Sequence, residues 1–259
     1  MQQRVFTYRK TLLWLYVSAA IVMAGAWSAC VVHYGGASVT HDQIRVHALS
    51  PDSTVQAIIA PYKSALDAEM QTVVGQIAVD MRKGKPESTL GNFICDVLEQ
   101  EAEQISGTPI DFSIYNYGGI RQEYLNNGPV TKGKIYELLP FENYGAIVTL
   151  DGPSTIMLVT KIAEEGGWPV SAGLKVVVRN NKPDSIFIGG EPLDINRSYR
   201  VAMNDYMANG GDRMPFIQKD QITVVGVTIR DMMLHYLGVL QLQGEAATAE
   251  IEGRIVYAN

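Results

Sequence analysis

The chain has 259 residues, of which 47% are hydrophobic and 19% are charged, as in an ordinary globular protein. Its formal net charge of −6 argues against a nucleic-acid backbone as a partner, although a few well-placed Arg or Lys side chains can still hold a small anion. The two cysteines, Cys30 and Cys95, exclude a disulfide-rich framework and a zinc site built on a Cys-x-x-Cys pair.

The N-terminus has the layout of a targeting segment. Arg4, Arg9 and Lys10 precede an uncharged apolar run over residues 11–29, which ends in small residues before Cys30. This order resembles a bacterial lipoprotein cleavage site, with Cys30 as the lipidated residue. An uncleaved membrane helix remains open because the run is long enough to span a bilayer, and so does plain secretion. All three interpretations place the domain outside the cytoplasm, in the periplasm or at the cell surface.

Residues 1–29 are therefore predicted to be the targeting segment, residues 30–50 a tether without hydrophobic period, and residues 51–259 the folded domain. Helices and strands alternate irregularly in this domain, which predicts a mixed, α+β fold. In chain order, the predicted elements are helices at 53–70 and 88–105, a strand at 110–115, a helix at 131–139, a strand at 144–150, a helix at 153–165, strands at 174–179, 185–188 and 199–204, a helix at 228–240 and a strand at 251–257.

A glycine pair follows the strand at 110–115, in the segment Asn116-Tyr-Gly-Gly-Ile-Arg121. Glycine allows a backbone to approach a ligand closely, and an arginine can grip a phosphate with two parallel hydrogen bonds. A turn followed by a solvated Arg121 is the alternative. The spacing of a Walker loop is absent.

Aromatic and polar side chains lie together in two further segments, Leu139-Pro-Phe-Glu-Asn143 and Asn204-Asp-Tyr-Met-Ala-Asn-Gly-Gly-Asp212. Phe141 and Tyr206 can hold a planar base between two rings, and Asp212 can accept hydrogen bonds from ribose hydroxyls. A core position is the alternative for either aromatic alone. The start of the second helix, Glu87-Ser-Thr-Leu-Gly-Asn92, can attract an anion or can be a plain cap.

In this order and wording, the segments resemble the C-terminal domain of the 5′-nucleotidase family, which includes bacterial periplasmic UDP-sugar hydrolases and animal ecto-5′-nucleotidases. The resemblance covers roughly residues 55–257. It implies a four-layer α/β/β/α domain that holds the nucleoside part of a nucleotide. The segments that carry it are Glu87–Asn92, Asn116–Arg121, Leu139–Asn143, Ser171-Ala-Gly-Leu174 and Asn204–Asp212.

The resemblance also implies the roles of individual residues. Phe141 and Tyr206 match two base-stacking aromatics, the second of which is usually Phe. Arg121 matches an arginine on the ribose and phosphate side, and Asp212 matches the residue that holds the ribose hydroxyls. The remaining matched positions are two amides near the base, Asn116 and Asn143, and a close backbone approach at Gly173.

Members of this family hydrolyse phosphate esters at a two-metal site in a separate N-terminal domain, and that site needs a set of His, Asp and Asn ligands. This chain has four histidines, of which three lie in the predicted tether and His235 lies on the last helix. No Asp-x-His, Gly-Asn-His or Gly-His-x-His string occurs. We therefore expect no catalytic residue, no metal ligand and no cofactor here, with divalent metals only in a partner metallophosphatase domain or subunit.

Two functions remain open at this point. The chain is either the substrate-binding half of a split 5′-nucleotidase, completed by a metallophosphatase, or a lipoprotein that binds nucleotides or nucleosides without chemistry. A degenerate domain with a structural role is a third alternative. Arg121 favours the first function, because a pure nucleoside binder has less use for a group that contacts phosphate.

Overall fold

A computed structural model describes residues 52–258 and the single residue Trp14. Cys30, the predicted tether and the rest of the predicted targeting segment lie outside the described residues. None of the helices in the described part of the chain is both long and apolar enough to cross a bilayer.

The helices and strands of residues 52–258 alternate irregularly, as the sequence predicts. The helices are α1 Ser53–Met70, α2 Thr89–Ser106, α3 Lys132–Leu138, α4 Gly152–Glu164, α5 Asp205–Ala208 and α6 Ile229–Gln243. The strands are β1 Val73–Ile77, β2 Met81–Arg82, β3 Phe112–Ser113, β4 Tyr124–Leu125, β5 Gly128–Thr131, β6 Tyr144–Asp151, β7 Leu174–Arg179, β8 Lys182–Ile188, β9 Glu191–Pro192, β10 Ser198–Asn204, β11 Ile222–Thr228 and β12 Ile255–Tyr257.

Two four-stranded sheets organise the domain. The first has the order β11-β6-β10-β3, in which β10 runs parallel to β3 and antiparallel to β6. The second has the order β12-β7-β8-β9. Two short antiparallel ribbons pair β1 with β5 and β2 with β4, and isolated bridges join Ile77 to Ala247 and Ile114 to Val170.

One hydrophobic core lies between helices α2 and α6 and one face of the first sheet. Helix α2 begins at the N-cap Ser88, whose Oγ accepts from the Gly91 N–H, and it ends at Gly107 with a left-handed φ of 64°. Its apolar residues recur at helical spacing and are buried against α6 and against Ile147 and Ala202 of the sheet.

A second core fills the space on the other face of the first sheet. Strand β6 alternates, so that Ala146, Val148 and Leu150 point into this core while Ile147 points into the first one. Strand β7 and helix α4 close it from the far side. Helix α4 contacts β8 of the second sheet as well as β6 and β10 of the first. This arrangement confirms the mixed α+β fold.

Helix α1 forms where its hydrophobic period predicts, but its apolar stripe is not buried by any described residue. The side chains on this stripe are exposed: Val55, Ile58, Ile59, Tyr62 and Leu66. The helix touches the rest of the domain through its C-terminal end, where Glu69 pairs with Lys132.

Candidate functional site

Sheet topology brings three of the predicted motifs to one edge of the first sheet. Strands β3 and β10 are parallel, so their carboxyl ends meet there. Strand β6 is antiparallel to β10, so its amino end lies at the same edge. Asn116 comes shortly after β3, Asn204 is the last residue of β10, and Asn143 directly precedes β6. Residues far apart in sequence therefore converge by strand direction alone.

A cleft of about 290 Å³ opens at this edge. The side chains of Phe141 and Tyr206 are about half exposed, at 46% and 49%, so a ligand in the cleft can reach them. Gly118 and Gly119 contribute backbone to its wall, and Gly118 has open space where a side chain would be. The lining residues are Asn116, Gly118, Gly119, Phe141, Asn143, Tyr206 and Asp212.

A buried asparagine joins two walls of the cleft. The Asn204 Nδ2 donates to Asn116 Oδ1 at 2.9 Å, and Asn204 Oδ1 accepts from the Met207 N–H at 2.8 Å. Asn204 is fully buried, so each of these bonds forms in a medium where an unpaired amide is costly. The buried Tyr115 lies next to Asn204. Burial raises the pKa of the Tyr115 hydroxyl to about 12, although its hydrogen bonds with Asn204 and Asn143 act to lower this pKa.

Arg230 holds the loop that carries Phe141, and sequence reasoning missed this residue. Its guanidinium lies 4.1 Å from the ring centroid of Tyr136. Its Nη1 donates to the carbonyls of Leu139 and Pro140, at 3.4 and 3.3 Å. The Arg230 side chain is buried, although it lies near the start of the amphipathic helix α6, where a charged residue is ordinarily exposed to solvent. No signal in the sequence distinguishes the two cases.

The turn that carries Asp212 is strained and closely packed. Asp212 and Arg213 have φ angles of 51° and 64°, which residues other than glycine adopt at a cost of order 1–3 kcal/mol each. Gly211 has to be glycine, since a Cβ there would lie 2.5 Å from the Tyr206 carbonyl oxygen and 2.6 Å from its ring. Strained backbone of this kind concentrates at ligand-binding sites.

The family model described as 5′-nucleotidase, C-terminal domain, matches residues 73–219, which is more than half of the chain. The chain belongs to this family. A cell wall protein of Listeria monocytogenes, Lmo0130, is 25% identical over 234 residues, which cover 81% of this chain and 30% of the relative. A 5′-nucleotidase of Vibrio vulnificus is 31% identical over 109 residues, which cover 40% of this chain and 20% of that protein.

A solved structure shares the fold of this 5′-nucleotidase C-terminal domain. The 5′-nucleotidase precursor of Thermus thermophilus aligns with a TM-score of 0.68 and 27% identity, over 81% of this chain and 44% of the other. The chain therefore spans less than half of that protein, and about 30% of the Listeria relative.

Positive charge lies beside one end of the cleft of this 5′-nucleotidase domain. Arg121 Cζ is 5.9 Å from the centroid of the Phe141 ring, and its Nη1 lies 3.5 Å from the Gly118 carbonyl oxygen. Lys83 and Lys85 place their ammonium groups 4.1 and 4.9 Å from the centroid of the Tyr117 ring. Three cations thus surround the turn that forms one wall of the cleft.

The other two family motifs hold the fold together rather than line the cleft. The Glu87 carboxylate accepts from Asn92 Nδ2 and from the backbone N–H groups of Glu252 and Arg254, so it fastens the C-terminal tail. Gly173 lies against the backbone of Asp111, whose carbonyl oxygen would be 2.2 Å from an added Cβ. A ligand contact for Gly173 stays a prediction.

Potential metal ligands are scattered in the described part of the domain. Across residues 52–258 no three His, Cys, Asp or Glu side chains are grouped so that they could hold a metal ion. His235 donates to, or accepts from, Glu101 through Nδ1 at 2.7 Å, and its side chain is half exposed.

Proposed function

We propose that this domain binds the nucleotide substrate of a 5′-nucleotidase-type phosphohydrolase, and that a separate metallophosphatase domain or subunit supplies the hydrolysis. The observation that carries the proposal is the convergence of Asn116, Phe141, Asn143, Tyr206 and Asp212 on one cleft, with Arg121 beside it. Family membership supports a nucleotide as the ligand.

Each part of a nucleotide has a matching group in this cleft or beside it. Phe141 and Tyr206 offer ring faces for the base, since every base has a π face that stacks on an aromatic. Asp212 offers carboxylate oxygens to ribose hydroxyls. Arg121 offers a planar guanidinium to the phosphate, which it can bind with two hydrogen bonds.

The scattered metal ligands of residues 52–258 support the assignment of hydrolysis to another domain or subunit. A purified sample of this chain, incubated with AMP and Mg²⁺, Mn²⁺, Zn²⁺ or Co²⁺, is expected to release no phosphate. A colorimetric phosphate assay measures this, with a complete 5′-nucleotidase as the positive control. Metal-dependent release that survives repurification and disappears in Arg121→Ala would contradict the proposal.

The phosphate role of Arg121 has its own test. Arg121→Ala is expected to weaken AMP binding by about 1–2 kcal/mol more than adenosine binding, because only AMP accepts a charge-assisted hydrogen bond from the guanidinium. Calorimetry with both ligands measures the difference.

Arg179→Ala is the matched control for Arg121→Ala, because Arg179 lies on strand β7, pairs with Asp184 and does not line the cleft. This control is expected to leave both affinities unchanged. Equal losses for AMP and adenosine in Arg121→Ala would refute the phosphate role.

We also propose an extracytoplasmic location, with the chain anchored to a membrane through lipid on Cys30 or through an uncleaved helix. The N-terminal order of charge, apolar residues and small residues supports it. The name of the Listeria relative, a cell wall protein, is consistent with a place outside the cytoplasm.

A further inference from the structure

The loop that carries Phe141 is fastened to the start of helix α6 on both sides of this residue. Directly before it, the Pro140 carbonyl accepts from Arg230 Nη1 at 3.3 Å. Two residues after it, the Asn143 carbonyl accepts from the Ile229 N–H at 2.9 Å. Two consecutive residues of α6 therefore hold the chain on either side of the exposed Phe141.

The Arg230 guanidinium is buried with an incomplete set of partners. The side chain is only 9% exposed, and the carboxylate with which it pairs, on Glu142, is 3.7 Å away and 84% exposed. Its Nε is buried and has no hydrogen-bond partner among the described residues. A buried charge without full compensation costs free energy, so stability alone does not account for this guanidinium. The loop that it holds does account for it.

The contacts of Arg230 give the loop a defined position relative to the core. The guanidinium carbon lies 4.1 Å from the centroid of the Tyr136 ring, and one nitrogen bridges two successive carbonyls of the loop. Helix α6 is fixed in turn, because Met232, Met233 and Leu237 are buried in the first core. A binding group is placed precisely when its supporting residues are themselves held by packing and hydrogen bonds.

We propose that Arg230 is a positioning residue for the base, which sets the place of the Phe141 ring in the cleft without lining the cleft itself. It rests on the proposed function, since it concerns the base of the same nucleotide. The two arginines near this loop have different tasks. The contribution of Arg121 depends on the phosphate, whereas that of Arg230 depends on the base.

The test measures the binding of adenosine and of AMP to Arg230→Met, which keeps a long side chain but has no hydrogen-bond donor. Both affinities are expected to fall by the same factor, about three- to tenfold, which is less than the loss of a whole stacked ring. The factors are equal because both ligands carry the same base. A direct effect of the Arg230 charge on the phosphate would instead weaken AMP binding alone. Ligand-observed NMR titration measures these changes even for weak binding.

A double variant tests whether Arg230 acts through Phe141. In a Phe141→Ala background, Arg230→Met is expected to cause no further loss of affinity, because no ring remains to be positioned. Arg254→Met is the matched control, because Arg254 is also buried and does not line the cleft. It should change neither affinity. Thermal unfolding establishes which variants are folded before binding is compared.

Arg230→Lys is the second variant, in case Arg230→Met does not fold. It keeps the positive charge but lacks the planar guanidinium that lies against Tyr136 and bridges the two carbonyls. Adenosine and AMP should again lose affinity by equal factors, smaller than those of Arg230→Met.

The outcomes that would overturn this role differ in what else they affect. Unchanged affinities in Arg230→Met, with losses in Phe141→Ala, would refute the positioning role and leave the proposed function standing. A loss confined to AMP would assign Arg230 to the phosphate. A further loss of the same size in the Phe141→Ala background would show a general loosening of the domain. A wild-type chain that binds neither ligand would overturn the proposed function together with the role of Arg230.

Discussion

Phe141→Ala and Tyr206→Ala are each expected to weaken binding of adenosine and of AMP by about 1–3 kcal/mol, the usual value of one base stacked on an aromatic ring. Both ligands should lose equally, since both carry the same base. The two rings line the same cleft and are about half exposed, so neither substitution opens a cavity in the core. Calorimetry on the two variants, with both ligands, measures the effect.

Tyr124→Ala is the control for both substitutions, because it removes an equally exposed aromatic that lies outside the cleft lining. Its effect on binding should be negligible. Thermal unfolding of all three variants establishes that they are folded before binding is compared. Affinities retained at the wild-type level in both cleft variants would refute the base clamp, and most of the proposed function with it.

Arg254→Ala is expected to lower the free energy of unfolding by about 1–3 kcal/mol, the scale of a buried polar group left without its hydrogen-bond partner, because the Asp96 side chain is itself 42% exposed. The Arg254 side chain is only 3% exposed. Its Nη1 and Nη2 donate to the two Asp96 carboxylate oxygens at 2.7 and 2.8 Å, and Nη1 also donates to the Val170 carbonyl at 2.9 Å. The substitution therefore leaves a buried carbonyl without its donor. Urea unfolding followed by circular dichroism measures the loss.

Arg197→Ala removes the same type of side chain from a more exposed pair, with Asp111, in which the arginine is 54% exposed. Exposed ion pairs contribute about 0–1 kcal/mol, so this variant should be nearly as stable as the wild type. A loss for Arg254→Ala no larger than that of Arg197→Ala would contradict the clamping role of Arg254.

The elements with a strong hydrophobic period could be predicted from the sequence within a few residues. Helices α2, α4 and α6 each bury one stripe of a regular repeat. Strand β11, Ile222–Thr228, was missed because Gly226, at φ 82°, and a register shift between Val224 and Thr228 break its alternation. The predicted last strand was too long at its start, and only Ile255–Tyr257 pairs with β7.

Some residues of the candidate site could be predicted from the sequence, and the roles of others are visible only in the structure. Phe141, Tyr206 and Asp212 lie in motifs that resemble those of the family, and this resemblance implies a nucleotide ligand. The structure brings the three residues together in one cleft. Arg230 carries no such signal, because a charged residue on an amphipathic helix has the same pattern whether its head reaches solvent or a buried carbonyl. The role of Glu87 as the anchor of the C-terminal tail depends on a contact across 165 positions.

The sequence by itself determined the mixed class of the fold, since this depends on local order and hydrophobic period. Its motifs also carried the resemblance that implied the family and the residues of the site. Only the tertiary structure decided that β3 and β10 run parallel, with β6 opposed to them, and this geometry gathers the separate motifs at one edge. It also decided that the Tyr206 hydroxyl faces Asp212, and that Arg230 lies under the Phe141 loop. Strand direction and side-chain contacts across the fold depend on which surfaces pack together, and no local pattern in the chain encodes that choice.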